Sequence, residues 1–127
     1  MQYNLIIPGR LPGLNEYIKA CRANKFAGAA MKKDCETAIG WHIKIHLKGV
    51  KITKPVYLNY IWYEKDKKRD LDGITSFGMK VIQDALVDTG VLQGDGWKNI
   101  IGFSHSFEVS RNNPRIEILI EEREETK

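Results

Sequence analysis

The chain has 127 residues, 43% of them hydrophobic and 28% charged, a balance that suits one globular domain over residues 1–127 and excludes a disordered polymer. No apolar run approaches the roughly 18–20 residues of a membrane-spanning helix. The opening Met1-Gln2-Tyr3-Asn4-Leu5-Ile6-Ile7-Pro8 also lacks the positive start and long apolar run of a secretory signal, so a cytoplasmic setting is expected.

Twenty basic against sixteen acidic residues give a net charge of +4, compatible with a polyanionic partner without identifying one. Its distribution says more than its sum. Residues 9–33 carry Arg10, Lys19, Arg22, Lys25, Lys32 and Lys33 against Glu16 alone, whereas five Glu face Arg123 and Lys127 over residues 117–127. The acidic stretch reads as a solvated, fraying end. Cys21 and Cys35 form no metal-type motif, and reduced, buried thiols are the expectation.

Residues 2–7 read as an opening strand. Residues 8–29 contain Pro8-Gly9, Pro12-Gly13 and Gly28 without a clean period, and read as a long basic loop with Tyr17 and Phe26 interleaved. Over residues 30–48, Met31, Cys35, Ile39, Ile43 and Leu47 recur every four positions, which predicts a helix. His42 and His46 lie four apart on it; without the Glu of a zinc-protease motif they read as a packed histidine pair. Residues 56–63 are dense in strand formers with large apolar groups in both phases, and predict a central strand covered on both sides.

Residues 73–89 return to helical spacing, with Phe77, Val81, Ile74, Ala85, Ile82 and Leu86 on one face and Gly90 as a stop. Alternation resumes over 101–109 and again at Ile116, Ile118 and Ile120, around the turn chemistry of Arg111-Asn112-Asn113-Pro114, which predicts a β-hairpin. His105 shares the phase of Phe103 and Phe107 and reads as a core or interface residue. The expected fold is therefore α/β (α+β): a small mixed four-stranded sheet with two helices, in the order β-α-β-α-β-β.

Chemistry concentrates in Lys67-Lys68-Arg69-Asp70-Leu71-Asp72-Gly73, between the central strand and the second helix. If the chain stays extended to Asp72, the period of two puts the Asp70 and Asp72 carboxylates on one side. A divalent cation relieves their repulsion, and hard oxygen ligands favour Mg²⁺, with Mn²⁺ as a substitute. Lys67, Lys68 and Arg69 could hold a phosphate beside it. The alternative is structural, with Asp72 as a helix cap and Asp70 paired to Arg69 or Lys68. Asp95, between Gly94 and Gly96, could complete a three-carboxylate cluster if its loop returns to the helix start, or be a turn residue. Lys80 and Asp84 stand four apart on the helix flank, either a modest helix pair or a charge for a reacting phosphate.

The series Arg69-Asp70-Leu71-Asp72, Lys80, Asp84, Thr89-Gly90-Val91 and Asp95 resembles the RusA family of Holliday-junction resolvases, bacterial and prophage-borne. Ile6-Ile7-Pro8-Gly9 with Pro12 and Asn15 resembles that family's proline-rich opening, and Asn113-Pro114-Arg115-Ile116-Glu117 its phage-type ending. Lys80 stands four positions further from Asp72 than the family's lysine does. The resemblance implies a Mg²⁺-dependent, structure-selective endonuclease that resolves four-way junctions by paired nicks as a homodimer, with no organic cofactor. Asp70, Asp72 and Asp95 would hold the metal and Lys80 would neutralise charge at the phosphate. Lys67, Lys68, Arg69, Arg10, Lys19, Arg22 and Lys25 would hold the DNA backbone. A non-catalytic nucleic-acid-binding module and a nuclease for other branched DNA are the alternatives.

Overall fold

The computed structural model describes residues 1–124. In chain order the elements are β1 (Gln2–Pro8), α1 (Leu14–Ala23), α2 (Ala27–His46), β2 (Val56–Glu64), α3 (Leu71–Asp88), β3 (Ile100–Val109) and β4 (Arg115–Glu122). The strands form one mixed sheet in the order β1-β4-β2-β3. β2 runs parallel to β3 and antiparallel to β4, which pairs antiparallel with β1. The expected class and four-stranded mixed sheet are present, with three helices rather than two among the described residues.

The extra helix, α1, lies inside the segment expected to be a loop. Leu14, Tyr17, Ile18 and Cys21 recur at i, i+3, i+4 and i+7, a helical stripe overshadowed in sequence by the Pro and Gly just before it. Asn24 separates α1 from α2; its Oδ1 accepts hydrogen bonds from the N–H groups of Phe26 and Ala27, both at 2.9 Å. Helix α2 therefore begins at Ala27, three residues earlier than its apolar stripe suggests.

The expected hairpin does not form. β2 lies between β3 and β4, and the short connection after Val109 crosses the end of β2, where Ser110 N–H donates to the Glu64 carbonyl. The turn chemistry at Arg111–Pro114 reverses the chain without setting which strand it returns beside. β2 has the stronger demand for a central place: Val56, Leu58, Tyr60, Trp62 and Glu64 are all buried. Its other phase is only half-buried, so the strand is central in the sheet but covered closely on one face.

That face meets Ile39, Ile43 and Leu47 of the α2 stripe and Ile74, Phe77, Val81, Ile82, Ala85 and Leu86 of α3, as the two periodicities predict. Gly78 lets α3 lie close against the sheet, since a Cβ there would stand 2.9 Å from the Trp62 ring. The end of α3 also follows expectation, with Gly90 at φ +83° immediately beyond Thr89.

Three smaller expectations change. Glu117, Glu121 and Glu122 belong to β4 rather than to a fraying tail, and residues 125–127 lie outside the described residues. His46 is exposed and His42 half-buried, so no packed histidine pair exists. Cys21 is exposed and Cys35 half-buried. Among the described residues, no helix is long and apolar enough to cross a membrane.

His105 on β3 accepts a hydrogen bond at Nδ1 from Trp62 Nε1 (2.9 Å) and stacks on Tyr60 with ring centroids 5.0 Å apart. Burial pushes its pKa below the ordinary value, because the charged ring is poorly solvated there. The unfolded chain therefore takes up this proton first as pH falls. Its contribution to stability is full above about pH 6.5 and is lost as pH drops toward the folded-state value. Urea midpoints should fall from pH 7.5 to pH 5, and fall less in His105→Gln; an equal or larger drop in the variant would contradict this.

Candidate functional site

β2 ends at Glu64, which is buried at the wall of a cavity that it shares with Arg69, Asp70 and Phe107. Arg69 compensates it with a two-pronged contact, Nε to Oε1 and Nη2 to Oε2, both 2.9 Å. The remaining prong, Nη1, donates to the Leu11 carbonyl at 2.9 Å and lies 3.6 Å from Glu16. One guanidinium thus ties the end of β2, the opening loop and the start of α1. The sequence suggests a phosphate contact for Arg69; each of its three guanidinium nitrogens instead donates a hydrogen bond to protein.

Gly13, the residue before α1, allows the opening loop to lie against the α3 start. A Cβ there would stand 3.2 Å from both Arg69 Nη1 and the Gly73 carbonyl. Two segments more than fifty positions apart in sequence are thereby joined in one cleft of about 340 Å³, lined by Asn15, Glu16, Lys68, Asp70, Asp72 and Gly73 among others. On the other side of Asp70 lies a cavity of about 560 Å³, bordered by Lys67, Leu71, Ile74, Phe107 and Val109.

The extended conformation expected to reach Asp72 stops at Asp70, where φ is −69° and ψ 148°. α3 begins at Leu71, and Ile74 N–H donates to the Asp70 carbonyl at 3.1 Å. The two carboxylates therefore share the N-terminal end of a helix rather than one side of a strand. Asp70 is the N-cap residue, yet its side chain makes no capping hydrogen bond. Neither Asp70 nor Asp72 has an ion-pair partner among the described residues. The structural roles weighed for them, cap and ion pair, are not the ones they fill; proximity to the positive helix end remains.

Asp95 is elsewhere. It lies 3.5 Å from Lys80 Nζ, which also contacts Asp84 at 3.1 Å, while Lys32 reaches Asp84 at 3.1 Å from α2. Eight residues of helix, about 12 Å of rise, separate Lys80 from Asp72. The hydrogen bond to Asp84 holds the Lys80 ammonium above its ordinary pKa. Burial pushes the Asp84 carboxyl up, but hydrogen bonds from Lys80 and Lys32 outweigh it and leave a net downward shift. Among the described residues, no three His, Cys, Asp or Glu are grouped to hold a metal ion. Because Lys80 faces Asp84 and Asp95, any cleavage of DNA of the kind the resemblance implies should change less than threefold in Lys80→Ala, under about 1 kcal/mol of barrier; a hundredfold loss in single-turnover cleavage would reverse that assignment.

Of the basic residues, Lys68 lines the cleft and Lys67 the cavity, both exposed and without carboxylate partners among the described residues. Arg10, Lys19, Arg22 and Lys25 are exposed but line neither hollow. Glu64 and Glu16 were not anticipated. The phase of Val56, Leu58, Tyr60 and Trp62 would have placed Glu64 on the buried face and required a cation near it. No protein-family model matches the chain, and no curated protein matches it in sequence.

Proposed function

We propose that the chain is a Mg²⁺-dependent, structure-selective DNA endonuclease that cuts four-way junctions as a two-fold dimer, as its resemblance to the RusA family implies. The observation that supports this most is Asp70. The residue lines both a cleft and a cavity, and among the described residues its carboxylate makes no capping hydrogen bond and has no ion-pair partner; Asp72 and Lys68 line the same cleft. The opening segment with Asn15 and the Asp70–Asp72 segment, both part of the resemblance, line the same cleft.

The donor set suits Mg²⁺ in a restricted sense. Mg²⁺ is commonly held by one or two carboxylates plus substrate phosphates, rather than by an all-protein cage. Asp70 and Asp72 would be those carboxylates, and Asp95 stays outside the set in a single chain. When bound, the ion supplies Lewis-acid polarisation of a phosphate oxygen. Lys67 and Lys68 would hold backbone phosphates on either side of Asp70, fixing register without reading bases. Arg69 would act by holding the α3 start in place.

The absence of a three-carboxylate group among the described residues favours a second reading, a nucleic-acid-binding module without catalysis. Incubating the protein with an end-labelled synthetic four-way junction, with and without Mg²⁺, separates the two. Paired nicks that require Mg²⁺ or Mn²⁺ are expected; retarded but intact junction in both metals would leave the binding module. Equal cutting of flaps and junctions would point to a nuclease of broader branched-DNA range.

A further inference from the structure

We propose that β3 is the dimer surface, pairing antiparallel with β3 of a second copy about a two-fold axis at Ser106, so that one sheet runs through both chains. This names the surface of the dimer in the proposed function, and it is tested without DNA or cleavage.

β3 is an edge of the sheet and, among the described residues, pairs with β2 alone. Ser110 N–H, just beyond the strand, donates to Glu64 of β2. Backbone groups alternate sides along a strand, so Ser104, Ser106 and Glu108 turn theirs toward β2. Phe103, His105, Phe107 and Val109 then turn their N–H and C=O groups to the open edge. Edge strands are usually blunted by Lys, Pro, inward charge or brevity. β3 has ten residues without Lys or Pro, its register shift lies only at its start, and its single acidic residue is Glu108. Phe103 and Val109 are 46% and 43% exposed beside that edge.

The sequence of the strand selects a second copy as the occupant. With the axis at Ser106, Phe103 lies opposite Val109 of the other copy and His105 opposite Phe107. Those are the residues whose backbone groups point outward, so every pair exchanges both of its hydrogen bonds. Each is an aromatic–aliphatic or aromatic–imidazole pair, a favoured cross-strand combination. On the opposite face Ser106 meets itself and Glu108 meets Ser104, so no like charges oppose. The same patch serves both chains, as an isologous contact requires. Val109, at the rim of the Asp70 cavity, would be offset from its symmetry mate by six residues, about 20 Å along the strand. Two candidate sites would then be related by the axis that paired nicks demand.

Sedimentation equilibrium of the full chain tests the pairing. The parent should be a dimer, and Phe103→Lys and Val109→Lys should each weaken dimerisation at least tenfold while circular-dichroism melting confirms a folded monomer. Combining Phe103→Lys with Val109→Glu sets opposite charges across the same pair and should restore the dimer. A monomeric parent, a dimer untouched by either single substitution, or no rescue by the double variant would overturn the proposal. A dimer that passes these tests but cuts no junction would overturn the nuclease reading and leave the interface standing.

Discussion

Asp70→Asn is expected to reduce junction cleavage at least about 100-fold while junction affinity changes little. Loss of an outer-shell partner at a metal site already costs 10–100-fold, so loss of a carboxylate that would itself hold the ion in the proposed function should cost no less. The substitution is informative because it is nearly silent structurally. Asn and Asp are equally good N-cap residues, and the Asp70 side chain makes no capping bond to lose. The charge removed from the α3 N-terminus is worth only about 0.3–1 kcal/mol of helix stability. If Asp70 serves only the helix dipole, cleavage will survive at the parent rate and the melting temperature will shift slightly. Single-turnover cleavage, measured with gel-shift affinity on the same junction, distinguishes these outcomes. Asp72→Asn should behave alike, whereas Asp95→Asn should not, because Asp95 faces Lys80 in the single chain.

Such contrasts show which features were legible in the sequence. The stripe of Ile39, Ile43 and Leu47 and the broad apolar face of α3 reveal themselves because helical burial depends on neighbours three and four positions away. The central place of β2 was equally readable from its density of large side chains. Strand order was not. Alternation along Phe103–Val109 and Ile116–Ile120 says that each strand has an inner face, but not that β2 will separate them. The acidic site divides along the same line. Asp70 and Asp72 are near each other because they are near in sequence, although through a helix start rather than an extended segment. The position of Asp95 depends on how the loop after α3 folds, and Lys80 captures it on the way. Arg69 is the plainest case: beside Lys67 and Lys68 it looks like a third phosphate contact, and only the buried end of β2 reveals its partner.

Arg69→Ala should accordingly be a folding mutation before it is a DNA-binding one. It would leave the Glu64 carboxylate, with a side chain only 9% exposed, without its cation, and would also remove the donor to the Leu11 carbonyl. Breaking a buried pair by removing one partner costs about 3–5 kcal/mol, mostly from the stranded charge. That is a large share of the 5–15 kcal/mol by which small domains are stable. Glu64→Gln, which keeps the shape and neutralises the acid, should be milder, since Gln can still accept from the guanidinium. Replacing both partners at once, Glu64→Leu with Arg69→Met, should recover much of the loss, because no unpaired charge remains. If Arg69 were instead a phosphate contact, Arg69→Ala would weaken junction binding and lower its salt dependence at unchanged urea midpoint. The decisive comparison is therefore urea unfolding of the four proteins beside a salt titration of junction affinity. The structure expects the ordering parent, double variant, Arg69→Ala in falling stability, and an Arg69→Ala midpoint equal to that of the parent would return the residue to the DNA surface.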